Sequence, residues 1–200
     1  MITRRHWLTA AAAIAASFLT GHAVAADPPA GEVLEVTVPT RALGAIVAAE
    51  GGAAVVVRID GKLGPADIRV GGAVHSVAAS QRDLLDDPRN APRVGAGVRK
   101  ILVAVRPDLA ATFEANHKAW TLTFVRKVLA WNARLAKTTV RGKRIVNTHD
   151  RAALLAWAGA IVDAKGQPSP PALARAPRDA TAATLESYVA YVEALVRSLE

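Results

Sequence analysis

The stretch "RPDLAATFEANHKAWTLTFVRKVLAWNARLAKT", residues 106–138, decides how the rest of the chain is read. Its apolar positions Phe113, Trp120, Phe124, Val128, Trp131 and Leu135 recur at steps of three, four and seven, which lines one face of an α-helix. Large aromatics on that stripe require a substantial core to receive them. A helix of about 30 residues would be roughly 40 Å long, enough to serve two lobes of one protein. The expected fold is therefore α/β: two small α/β lobes joined by a long backbone helix. Residues 27–107 form the first lobe, 108–140 the helix and 141–200 a reduced second lobe.

On the N-terminal side, "DPRNAPRVGAGVRKILVAV" (87–105) predicts another helix, with Pro88 in its first turn, where proline is tolerated. Further back, "VLEVTV" (33–38) alternates and is rich in β-branched residues, so it reads as a strand. "TRALGAIVAAEGG" (40–52) is a short helix with Thr40 as N-cap and Gly51-Gly52 as its stop, and "AAVVVRI" (53–59) is a second strand. This β-α-β order points to parallel pairing. Residues 60–86 carry three turn signals and one more strand, around "DIRV".

On the C-terminal side, "GKRIVNTH" (142–149) returns to strand, a helix runs from Asp150 to Trp157, and "AGAIVDA" (158–164) is a strand. "KGQPSPPALARAPRDA" (165–180) is proline-rich and irregular. The closing "TAATLESYVAYVEALVRSLE" is an amphipathic helix with Leu185, Tyr188, Val192, Leu195 and Leu199 on its buried stripe.

The first 26 residues, "MITRRHWLTAAAAIAASFLTGHAVAA", read as an export signal. Arg4 and Arg5 form the basic start, Trp7 to Leu19 the apolar run, and Ala23 with Ala25 or Ala26 the cleavage region. The run is too short for a span of roughly 20 helical residues. The paired arginines of "TRRHWL" fit a twin-arginine signal, and a plain secretory signal is the alternative. Cleavage removes Arg4 and Arg5 and lowers the formal net charge of +8 by two, to +6. The mature chain is expected in a bacterial periplasm, with no membrane insertion of its own. Its basic residues are scattered along the chain rather than clustered with stacking aromatics, which argues against nucleic acid as a partner. There are no cysteines, so neither disulfides nor thiolate metal sites are available, and any metal would be held by histidine and carboxylate. Ser76 and Ser80 follow His75 without a glycine-framed nucleophile elbow, and no HExxH, P-loop or dinucleotide fingerprint occurs. The chain is not expected to be an enzyme.

From Asp87 onward the order of pieces resembles the periplasmic metal-binding proteins of zinc and manganese ABC importers. "DPRNA", "RPDLAATFEANHKAW", "GKRIVNTHD", "IVDAKGQPSPPAL" and "LESYVAYVEALVRSL" carry the likeness in sequence order, and "LEVTVPTRALGAIVAAEGG" is similar to the family's first strand and helix. The resemblance implies a metal held between two lobes by histidines and a carboxylate, and delivery to an importer permease in the inner membrane. By that likeness His149 matches the ligand histidine at the strand end. Asp83 stands where the family usually carries a histidine, five positions before Pro88, and His75 is the first-lobe candidate. The family's "DPH"-like loop and acidic, histidine-rich loop are missing. Of the segment that carries the second-lobe carboxylate, Asp179 survives.

Zinc suits nitrogen and oxygen ligands, and manganese gains as carboxylates replace imidazoles. Binding by neutral imidazole would weaken below about pH 6. Each candidate also has a plain structural reading. His149 and Asp150 sit where a helix start needs capping, "DLLDDP" can cap the next helix through Asp86 or Asp87, and His75 can be an ordinary strand or loop histidine. His117, on the aromatic face of the long helix, reads as structural. The alternative to a metal carrier is a degenerate member of that family without a metal site, an exported accessory protein that works through protein contacts.

Overall fold

The computed structural model describes residues 33–78 and 84–200; the first 26 residues, expected to be an export signal, and Asp83 lie outside the described residues. Among the described residues the architecture is mixed α/β, with five α-helices and two small sheets, and no helix is long and apolar enough to cross a membrane.

The first sheet begins as the β-α-β order predicts. Strand β1 (Leu34–Val38) pairs in parallel with β2 (Val55–Ile59), placing Leu34 opposite Val55 and Val38 opposite Ile59, and helix α1 (Arg41–Gly51) makes the crossover. Strand β3 (Asp67–Val70) lies antiparallel on the other side of β1 and forms a hairpin with β4 (Ala73–Ser76), giving the order β2-β1-β3-β4. The hairpin exists because Gly71 and Gly72 take φ of +58° and +81°. A two-residue turn with both centres left-handed matches the twist of the strands, and glycine enters it without a Cβ penalty.

Helix α2 (Ala91–Val105) starts later than expected because Pro88–Asn90 form a 3₁₀ turn, whose first N–H, on Arg89, is held by the Asp87 carboxylate at 3.0 Å. Helix α3 (Ala110–Leu135) has 26 residues and buries Phe113, Trp120, Phe124, Val128, Trp131 and Leu135, the stripe expected from the spacing. In the second sheet, β5 (Arg144–Val146) is flanked in parallel by β6 (Ile161–Val162) and β7 (Gln167–Pro168). Strand β7 falls inside the proline-rich segment read as irregular; two residues are too few for any periodic signal. Helix α4 (Ala152–Trp157) follows β5, and α5 (Leu185–Arg197) closes the chain, with the Thr184 hydroxyl accepting from the Ser187 N–H at 3.3 Å.

Helix α1 is central. It contacts β1 and β2 as well as α2, α3 and α5. Eight of its eleven residues are buried, including Leu43, Ile46 and Val47, so it is apolar on nearly every side. A helix buried this way cannot leave its first N–H groups to water. The Thr40 hydroxyl takes the Leu43 N–H at 3.2 Å, while the Asp179 carboxylate takes the Arg41 N–H at 2.7 Å and the Ala42 N–H at 2.8 Å. A negative charge at that end also meets the positive pole of the helix. The buried apolar residues form one continuous cluster running from Val36 to Leu199.

Asp179→Ala is expected to cost about 2 kcal/mol of stability, because two charge-assisted bonds to a partly buried helix end are lost together. Urea denaturation of the variant measures this; an unchanged midpoint would show that water caps the helix equally well.

Candidate functional site

Among the described residues, the buried charged side chains gather at two places, one at each end of α1. At its N-terminal end, a turn at Leu84–Asp86, the start of α4, the Pro177–Asp179 segment and α5 converge. Asp86, read from "DLLDDP" as a helix-capping candidate, turns inward, while its neighbour Asp87 does the capping. The Arg151 guanidinium donates from Nη1 to Asp86 Oδ2 at 2.6 Å and to the Tyr191 hydroxyl at 2.8 Å, and from Nη2 to the Pro177 carbonyl. Tyr191 donates its own hydroxyl proton to Asp86 Oδ1, and Tyr188 donates to the Leu85 carbonyl at 2.9 Å. The Arg151 and Asp86 side chains are only 5% and 6% exposed, so this ion pair lies inside the protein.

Burial works against the charge on Arg151, yet the adjoining Asp86 carboxylate and Tyr191 more than offset it, and the guanidinium pKa is raised. Burial, reinforced by the Asp86 charge, pushes the Tyr191 phenol far above its usual value, so it remains a donor across the physiological range. Beside this cluster is a cavity of about 50 Å³ lined by Thr40, Ala42, Asp86, Arg178, Asp179 and Tyr191. It has room for a few water molecules, not for an organic solute.

The path of the chain into this cluster explains where His149 lies. After β5, residues 147–150 form a turn in which Asp150 takes φ of +53°, a left-handed conformation that aspartate tolerates better than most residues. Helix α4 therefore starts at Ala152, not Asp150, and the Asn147 side chain accepts from the Arg151 N–H at 2.6 Å. Half-buried His149 sits in that turn, its backbone carbonyl accepting from Arg178 Nη1 at 3.4 Å. His75 is half-buried on the edge strand β4, paired with Ile68 of β3. Asp83 falls outside the described residues. Among the described residues no group of three or more histidine, aspartate or glutamate side chains is arranged to hold a metal ion, so neither histidine joins one. Asp179, the carboxylate that the metal-carrier reading leaves in the second lobe, is engaged by α1.

At the other end of α1, Glu50 is fully buried. Its Oε1 accepts from Trp120 Nε1 at 2.9 Å and lies 2.7 Å from His117 Nδ1, both from α3, while Oε2 is buried without a partner. Asn116 adds a bond from its side-chain amide to the Glu50 carbonyl at 3.0 Å. Helix α2 approaches through Gly95, where a Cβ would stand 2.4 Å from Glu50 Oε1. Burial raises the Glu50 pKa, against the opposing pull of His117, Trp120 and Arg99. His117 is thus tied to α1 and the core, as the structural reading holds.

Sequence reasoning missed Arg151, Tyr191 and Glu50 as polar centres, because the partners of each lie far away in the chain. The one signal available was a charge or hydroxyl beside the apolar stripe of a helix. Comparison with family models, with curated proteins and with solved structures returned no match for this chain.

Two outcomes follow from these clusters. Arg151→Met leaves Asp86 buried without its cation and is expected to cost about 3–5 kcal/mol, whereas Arg151→Met combined with Asp86→Leu costs less than either single change. Denaturant midpoints of the three variants check this, and additive losses would mean the pair is not coupled. For Glu50, the unfolded chain gives up its proton near pH 4.3, before the folded protein does, so stability falls as pH rises from about 4.3 to the raised folded value. Glu50→Gln removes that fall; thermal unfolding followed from about pH 4 to about pH 8 measures it, and parallel profiles for both proteins would refute the assignment.

Proposed function

We propose that this chain is an exported, periplasmic accessory protein that works through protein contacts, with two α/β units joined by α3 and the space between them held shut. The observation that carries this reading is the commitment of the acidic groups there. A metal carrier needs carboxylates free to face a cation. Here Asp86 is neutralised by the internal guanidinium of Arg151, and Asp179 is spent on the N–H groups of Arg41 and Ala42. Opening the two units would expose the ion pair and uncap the central helix. Such a clamp favours one arrangement over the open and closed pair that capture and release require. The export-like first 26 residues support the compartment, and the absence of any recognised nucleophile, acid–base pair or cofactor fingerprint in the sequence supports a non-catalytic role.

The rival is the carrier implied by the resemblance, in which His149, His75 and Asp83 take zinc or manganese and hand it to an ABC importer permease. Calorimetric titration of protein purified from the periplasm separates the two. The expected result is no zinc or manganese binding tighter than about 10 μM, with titrations of His149→Ala and His75→Ala matching the parent. Tighter binding that disappears in His149→Ala would overturn the accessory reading and establish metal capture.

A further inference from the structure

Helix α3 has a second face. Opposite its buried stripe, Ala115, Lys118, Leu122, Val125 and Leu129 follow one another at alternating steps of three and four. Leu122 is 64% exposed, Val125 41% and Leu129 63%, although leucine and valine on a two-sided surface helix usually turn inward. At about 100° per residue these five positions fall on one narrow stripe, and alternating three and four is the spacing by which one helix receives another along a seam. The stripe ends at Asn132, whose side-chain oxygen is taken by Trp157 Nε1 at 2.6 Å.

Two cations stand on this face, Lys118 within the stripe and Arg126 at its border. Arg126 is exposed, and among the described residues it has no carboxylate partner. Lys118 is 75% exposed and reaches only Glu114, at 3.7 Å, whose carboxylate is already held by Arg99 at 2.5 Å. A pair this open contributes little and leaves the lysine available.

We propose that the outer face of α3 docks an acidic amphipathic helix of a partner protein. Apolar residues of that helix, spaced by three and four, would interdigitate with Leu122, Val125 and Leu129, and its flanking glutamates or aspartates would meet Lys118 and Arg126. The charge of the face selects this occupant. A second copy would bring the same cations against themselves, and like charges across a seam disfavour pairing. A lipid surface calls for a broad apolar face sunk into the interface, whereas this one is a single row. The inference deepens the accessory reading and rests on it, but metal titration decides that reading and helix docking decides this one, so the two can fail separately.

The probe is a labelled synthetic peptide of about three heptads with leucine at a and d and glutamate at e and g. Its binding to the full periplasmic protein is followed by fluorescence anisotropy. A scrambled peptide of equal composition and a lysine-flanked version serve as controls. The expected result is binding by the acidic peptide alone, weakened by added salt. Leu122→Asp with Leu129→Asp should weaken it by at least about tenfold, with the thermal midpoint unchanged because both side chains are exposed. Lys118→Glu with Arg126→Glu should reverse the preference toward the lysine-flanked peptide. Equal binding of the scrambled peptide, or no binding, overturns the proposal. So does a dimer in sedimentation equilibrium that the two aspartate substitutions dissolve, which would assign the face to a second copy. Binding to anionic phospholipid vesicles but not to the peptide would assign it to a membrane.

Discussion

The structure depends on burying α1 completely, and a buried helix must have its polar ends satisfied from elsewhere. Neither end of α1 is served by its neighbours in sequence alone. At the N-terminal end Thr40 supplies one acceptor, and Asp179, arriving from far along the chain, supplies the others. At the C-terminal end Asn116 of α3 donates to the Glu50 carbonyl, and the Glu50 side chain is gripped by Trp120 and His117. Helix α3, which touches α1 through apolar surface, thus also meets it through polar contacts of fixed direction. Apolar packing tolerates sliding; a carboxylate shared between two adjacent N–H groups does not.

The Asp86–Arg151–Tyr191 cluster extends the same logic to charge. Taking an ion pair out of water costs several kcal/mol per ion, which attraction repays only when geometry is good and the remaining protons find acceptors. Here the guanidinium also reaches the Pro177 carbonyl and the Tyr191 hydroxyl. The stability gained over an apolar replacement is therefore small, and what the cluster chiefly supplies is register. It fixes the Leu84–Asp86 turn, the start of α4 and the face of α5 in one relation. The left-handed Asp150 belongs to this device, because it turns the chain so that Arg151 points inward.

Much of this fold is legible in the sequence. The α3 stripe is found residue for residue because a long, strongly periodic helix leaves no competing reading, and β1, α1 and β2 are found because alternation and a capped helix agree. What escapes is short or remote. Strand β7 has two residues, and β4 depends on a turn geometry that two adjacent glycines permit but do not demand. The start of α4 is displaced by the conformation of Asp150. The polar clusters are illegible for a different reason: Asp86 and Arg151, like Glu50 and His117, are joined only by the fold. A lone arginine in "HDRAALLAW" looks like surface until its partner is known. His149 is identifiable at a strand-to-helix junction and His75 as a strand or loop histidine, but convergence is a property of space that spacing alone does not encode.

The reach of Asp179 to Arg41 also orders events in time. A nascent chain emerging amino end first presents α1 long before residue 179 exists. An isolated helix of that length is marginal in water. Its apolar flanks wait for α3 and α5, and its leading N–H groups wait for the carboxylate. Such nonlocal closure slows folding and keeps the emerging polypeptide loose until the segment around residue 179 has been made. A helix made early is secured late, and loss of the Asp179 carboxylate would unseat α1.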